Sequence, residues 1–185
     1  MPMIAMPRIP GVRAVLALLA IALPPTVASA DTPSPGDIPD NQAFVRLATA
    51  SYSLQTPEGW VRTTSGRRIT LTDKYNAIHV ELSALPAAPT VRSVTAGEIP
   101  RLRSSVPGFR SPSVTSLTRP AGRVVLVRYQ ARSRLDPVTG RSVINDVERY
   151  EFWKAGRLAT VTLEAPHGSD NVDPWRTVTT SFRWR

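Results

Sequence analysis

The sequence has no cysteine among its 185 residues. That excludes a disulfide scaffold, a thiolate metal site, a cysteine nucleophile and a lipidated N-terminal cysteine together. Histidine is almost as scarce: His79 and His167 are the only two, which leaves little material for acid–base or metal chemistry. Lysine is reduced to Lys74 and Lys154 against 21 arginines, a bias that a GC-rich genome explains more simply than selection for a planar donor. No apolar run approaches the roughly 20 residues a membrane-crossing helix needs. No phosphate loop, dinucleotide fingerprint or zinc-ligand spacing occurs. What is present is a globular composition, with 42% hydrophobic residues, too many for a disordered chain.

The most specific pattern lies at the start. Arg8 and Arg13 are the only charges among residues 1–30, residues 14–23 are an unbroken apolar run, and Pro24 and Pro25 end it. Ala28-Ser29-Ala30 then supplies the small-x-small site of a signal peptidase. Residues 1–30 are therefore expected to be a removable export signal cleaved after Ala30. The product is expected to be soluble, secreted or envelope-associated, with no transmembrane segment. Residues 31–43 open with DTPSPGDIPD and read as a flexible lead. Residues 44–185 are long enough for one ordinary domain with its own core.

The formal charge is +9 for the whole chain, or +7 without the two arginines of the export signal. The arginines are scattered, and Arg67-Arg68 is the only adjacent pair. A nucleic-acid binder concentrates its charge and interleaves aromatics with it, so no nucleic-acid partner is expected. A solvated basic surface is the plainer reading.

Within the domain, extended segments dominate. Residues 52–55 form a short strand before the turn Thr56-Pro57-Glu58-Gly59 and the anchor Trp60. Residues 69–72 and 77–82 are two more strands about Asp73-Lys74-Tyr75-Asn76. In the second, Ile78, Val80 and Leu82 alternate with His79 and Glu81, giving one apolar and one polar face. Thr95 and Glu98 have capping-box spacing before a helix reaching Ser105, with Pro100 blurring its start. Residues 124–131, 143–153 and 158–165 form a three-stranded meander, turned at residues 136–140 and 154–157. At the end, Asp173 caps a helix, Pro174 takes its first position, and Trp175, Val178 and Phe182 share one face. Consecutive strands joined by tight turns make the sheet mainly antiparallel, and the segregated helices make the class α+β.

The run Tyr52-Ser53-Leu54-Gln55-Thr56-Pro57-Glu58-Gly59-Trp60, the late strand pair, Ala165-Pro166-His167-Gly168 and Trp175…Ser181-Phe182-Arg183-Trp184 together resemble the PsbP-like superfamily. Within it the chain is most similar to LpqN-type envelope proteins of actinobacteria. The resemblance implies an antiparallel sheet with helices packed on both faces. Its members include photosystem accessory subunits and Ran-binding Mog proteins, which bind rather than catalyse. LpqN-type proteins are commonly lipoproteins, and this chain departs from them in having no cysteine to lipidate. The resemblance transfers no catalytic residue.

The chemistry-bearing residues are few. His79 on its strand is either a groove residue or a general base, and no nucleophile-elbow serine accompanies it. His167 lies in the loop Pro166-His167-Gly168-Ser169-Asp170-Asn171, where functional residues concentrate. Asp170, Asn171 and Asp173 lack the calcium-loop pattern, and helix capping accounts for Asp173. Regular alternation puts Arg128 and Arg132 on one strand face with Gln130 between them. They form either an organised cationic site or ordinary cross-strand pairs with acids such as Glu148 or Glu151. No catalytic, metal or cofactor site follows. The expectation is an exported, non-catalytic binding or accessory domain of the cell envelope, with Arg128, Arg132, His167 and His79 as ligand or partner contacts. The alternative is a carrier of an apolar or anionic envelope ligand. A deep apolar pocket would favour the carrier, and an exposed flat apolar patch a docking module on another envelope protein.

Overall fold

Every second residue of the strand Gly122–Arg132 is buried toward a different layer. Val124 and Leu126 enter one apolar cluster, while Val125, Val127, Tyr129 and Ala131 enter another. A strand apolar on both faces belongs at the centre of a fold with material on each side. The computed structural model describes residues 36–135 and 140–185. The expected export signal, residues 31–35 of the lead and residues 136–139 of the expected turn lie outside the described residues.

The chain order is β1 (Phe44–Ala48), β2 (Tyr52–Pro57), β3 (Val61–Ser65), β4 (Arg68–Asp73) and β5 (Asn76–Ala84). A helical segment follows, as α1 (Val91–Ser93), a π-helical turn (Val94–Glu98) and α2 (Ile99–Ser105). Then come β6 (Arg110–Arg119), β7 (Gly122–Arg132), β8 (Ile144–Lys154), β9 (Arg157–Pro166), α3 (Val172–Ser181) and β10 (Arg183–Trp184). Among the described residues these make a seven-stranded sheet ordered β3-β4-β5-β9-β8-β7-β6 and a three-stranded sheet ordered β1-β2-β10. Every strand pair is antiparallel.

The larger core lies between the two sheets. Ile78, Val80, Val161, Leu163 and Phe152 of the large sheet meet Leu47, Tyr52 and Leu54 of the small one, with Val178 of α3 and Phe182 beside them. On the opposite face, Val94, Ile99 and Leu102 of the helical segment cover Val125, Val127 and Val147. The fold is therefore antiparallel α+β, but dominated by sheet. Its helical part is two short segments, with the small sheet supplying much of the cover on the α3 side.

Both helices begin elsewhere than expected. Thr90, not Thr95, is the N-cap of the first, in a capping box with Ser93. The chain then passes Pro100, which has no amide hydrogen for the helical ladder. The π-helical turn just ahead of it places the Ile99 amide on the Val94 carbonyl. At α3 the N-cap is Asn171, without a side-chain capping bond, and Asp173 in the first turn pairs with Arg176 instead. Asn171 is otherwise engaged: its Oδ1 accepts the Ile38 amide at 2.7 Å and its Nδ2 donates to the Gly36 carbonyl at 2.9 Å. The lead expected to be flexible is thus fixed from Gly36, and Ile38 is buried. Gly36 runs so close to Pro166 and Ser169 that a side chain there would collide with both.

Candidate functional site

The two sheet faces carry polar residues where the helical segment, the small sheet and α3 stop covering them. On the α3 side, β7 and β8 pair directly, Arg128 opposite Glu148 and Gln130 opposite Asp146. Cross-strand neighbours on one face lie close enough to touch. Arg128 Nε donates to Glu148 Oε1 at 2.6 Å, and the other Glu148 oxygen accepts the Tyr150 hydroxyl. Gln130 Nε2 donates to Asp146 Oδ1 at 2.9 Å, Arg110 Nε donates to Gln130 Oε1 at 2.9 Å, and His167 Nδ1 stands 2.8 Å from Asp146 Oδ2. The result is two parallel polar chains on a rigid sheet. They border an open groove of about 580 Å³ whose other wall is α3, through Val172, Trp175 and Arg176.

The electrostatics follow from these contacts. Burial pushes the Asp146 carboxyl up, but hydrogen bonds from Gln130, His167 and the Gly168 amide outweigh it and hold the group below its ordinary value. Burial, reinforced by Glu148, pushes the Tyr150 hydroxyl up to about 12, so it is a hydrogen-bond donor throughout the physiological range. Arg119 lies over the Tyr150 ring, 5.6 Å from its centroid.

The opposite face holds a second opening, a trough of about 930 Å³ beside α2. Its floor is a row of paired residues running across the sheet: Thr63 beside Thr70, Thr70 beside His79, His79 beside Thr162, and Thr162 beside Arg149. His79 Nδ1 meets Thr70 Oγ1 at 2.9 Å and its Nε2 meets Glu164 Oε1 at 3.4 Å. Glu81, on the same strand face, pairs with Arg68 rather than with His79. Burial and the nearby Glu164 raise the Tyr129 hydroxyl to about 12.

The four residues singled out in the sequence are therefore split. Arg128 and His167 belong to the α3 side, where Arg128 borders the groove and Gln130 links its neighbour Asp146 to His167. His79 and Arg132 belong to the trough. Arg128 and Arg132 thus line different openings, and Arg128 makes the cross-strand pair with Glu148. Glu151 is no partner of either. It is buried on the helix side, 3.7 Å from Arg149. Sequence reading missed Asp146, Gln130 and Tyr150, whose meeting depends on strand register. Gln130 between two arginines was the one visible hint.

No family model and no curated protein sequence matches the chain. Solved structures do. The solution structure of the cyanobacterial PsbP protein CyanoP from Synechocystis sp. PCC 6803 matches with a TM-score of 0.56 at 13% identity, over 78% of this chain and 94% of that one. The fold is PsbP-like. LpqN of Mycobacterium tuberculosis, described as involved in cell envelope biogenesis, matches at 14% identity and a TM-score of 0.44, over 78% of this chain and 92% of that one. PA94 of Pseudomonas aeruginosa matches at 16% identity and a TM-score of 0.45, over 73% of this chain and 91% of that one. Below a TM-score of 0.5 these last two likenesses say nothing of function. The PsbP-like fold positions the site by placing α3 against β2 and leaving the ends of β7 and β8 uncovered. Among the described residues no helix is long and apolar enough to cross a membrane.

Proposed function

We propose that the protein is a non-catalytic binding domain of the cell envelope that holds a polar segment of a partner protein in the groove beside α3. The observation that carries this reading is the pair of polar chains, Arg110–Gln130–Asp146–His167 and Arg128–Glu148–Tyr150, on adjacent paired strands. Side chains fixed to one another on a sheet lose little freedom when a partner binds, which favours recognition. Their bonds run along the sheet and do not converge on one reacting atom, as general acid–base chemistry requires. The envelope assignment rests on the export pattern of residues 1–30, and the PsbP-like fold contributes architecture only.

The carrier reading fares worse. The space between the sheets is filled by stacked rings, Phe152 on Phe182 and Tyr52 on Phe182, and the groove is open with charged side chains along it. A photo-crosslinking residue at Ser113, on the groove wall, tests the proposal in envelope extract. A discrete protein adduct should form and disappear when Arg128→Gln is combined with Trp175→Ala. Co-purification of a lipid in place of a protein adduct, or an adduct indifferent to both substitutions, would refute it.

A further inference from the structure

The geometry points to a second binding site, for an acidic oligosaccharide, in the trough on the α2 side of the large sheet. Its lining is strongly biased in charge: Arg68, Lys74, Arg132, Arg134 and Arg149 against the single carboxylate of Glu164. Arg149 is held by Glu98 at 2.9 Å and Arg68 approaches Glu81 at 3.8 Å. Lys74, Arg132 and Arg134 have no carboxylate within 4.0 Å among the described residues. Three unneutralised cations around one concavity attract an anion, with field lines focused by the low-dielectric walls. Glu164, 3.4 Å from His79 in the floor, supplies one negative charge against these cations and leaves the lining with a net positive balance.

The floor sets the kind of anion. Thr63 and Thr70 stand side by side on β3 and β4, Thr72 lies two residues along β4, and Thr162 stands on β9 beyond His79; among the described residues Thr63, Thr72 and Thr162 make no side-chain hydrogen bond within the protein. Each hydroxyl both donates and accepts. Strands repeat about every 4.8 Å, so Thr63, Thr70, the His79 imidazole and Thr162 form a ladder of polar groups, three of them hydroxyls, suited to a ligand that is itself a chain of hydroxyl groups. A polyanion without hydroxyls would use the cations and leave the ladder idle. Tyr75, next to Lys74 at the mouth, adds an amphipathic ring of the kind that meets half-polar ligands. Lys74 is held at φ 50, the left-handed conformation that the tight β4–β5 turn requires, as Ala155 is at φ 47 in the β8–β9 turn.

The test is titration of the full chain with oligogalacturonate at low salt, with neutral dextran, polyglutamate and anionic phosphatidylglycerol vesicles alongside. Oligogalacturonate should bind, weaken as salt is added, and exceed polyglutamate and dextran. Lys74→Gly, which relieves the left-handed backbone while deleting the charge, and Arg132→Gln should each weaken binding about two- to fivefold, the range of an exposed ionic contact. Thr63→Val with Thr72→Val keeps β-branched residues on the strands and should lower oligogalacturonate binding alone. Gln130→Ala in the groove beside α3 should leave it unchanged, which separates this site from the proposed partner groove. The proposal is overturned if the parent fails to bind oligogalacturonate, if polyglutamate binds as well and the threonine variants change neither, or if Lys74→Gly and Arg132→Gln bind like the parent. It is equally overturned if vesicles bind and the sugar does not, since Leu135 on the rim is 68% exposed and would suit a lipid surface.

Discussion

Phe182 lies nearly parallel to Phe152, with ring centroids 4.2 Å apart and an interplanar angle of 20°. Phe152 comes from the middle of the large sheet, and Phe182 is the residue that ends α3 and starts the return to β10. Tyr52 of the small sheet stacks on the same Phe182 ring at 5.8 Å. One side chain therefore joins the large sheet, the small sheet and the terminal helix. Because α3 forms one wall of the groove, whatever fixes Phe182 also fixes the width of the site.

Phe182→Ala should cost about 3–5 kcal/mol, the usual range for a core aromatic, since the ring is fully buried. Trp175→Ala, by contrast, removes a ring that is only partly buried against the core, and should cost about 1 kcal/mol. Chemical denaturation of the two variants checks the order. Equal losses would mean that α3 is held by Trp175 as much as by its end.

This ranking shows how much the sequence discloses and where it stops. The apolar alternation of Ile78, Val80 and Leu82 was enough to place β5, and the runs from residues 124, 143 and 158 were enough for the meander. β6 was not legible, because Arg110–Arg119 is mostly exposed serine, threonine and arginine with Pro112 at a register shift. β3 is exposed along its whole length and gives no alternation to detect. The candidate site was legible only in part: Arg128 and His167 were marked, but Asp146 meets His167 across 21 residues of sequence. Such meetings are decided by register, which local propensity does not encode.

Asp146 is the groove group with a depressed carboxyl, so its contribution to stability should be complete above the ordinary carboxylate value of about 4 and be lost as pH falls through its lower folded value. Asp146→Asn should therefore lower the melting midpoint by a constant amount near neutrality, and the difference from the parent should shrink in acid below pH 4. A difference that persists unchanged to pH 2 would mean the side chain stabilises by shape and not by charge.

Asn171 holds the segment from Gly36 to the entrance of α3, through bonds to the Ile38 amide, the Gly36 carbonyl and Asn76 Oδ1 at 3.3 Å. Asn171→Ala leaves those buried groups without partners and should cost about 1–3 kcal/mol. Hydrogen exchange at the Ile38 amide gives the local readout: protection should fall there before it falls in β8. Intact protection at Ile38 would show that the lead is held by its apolar side chain alone.

Glu151 offers the opposite sign to Asp146. It is 4% exposed on β8 beneath the helical segment, and burial raises its carboxyl above the ordinary value, with Arg149 at 3.7 Å only partly opposing the shift. Glu98 competes for the same guanidinium at 2.9 Å and bridges on to Arg101 at the same distance. A carboxyl raised by folding contributes stability that is complete below its unfolded value of about 4 and is lost as pH rises through its folded value. Removing one partner of a buried ion pair usually destabilises, but here Arg149 keeps Glu98, so deleting the Glu151 charge leaves no unpaired cation. Glu151→Gln should thus be less stable than, or equal to, the parent in acid and should gain on it steadily as pH rises from 4 to 7. Melting midpoints of both proteins across that range decide the matter. A gap that stays flat, or that widens in favour of the parent with rising pH, would show that Arg149 depends on Glu151 and that the cluster beneath α2 is a true three-charge network.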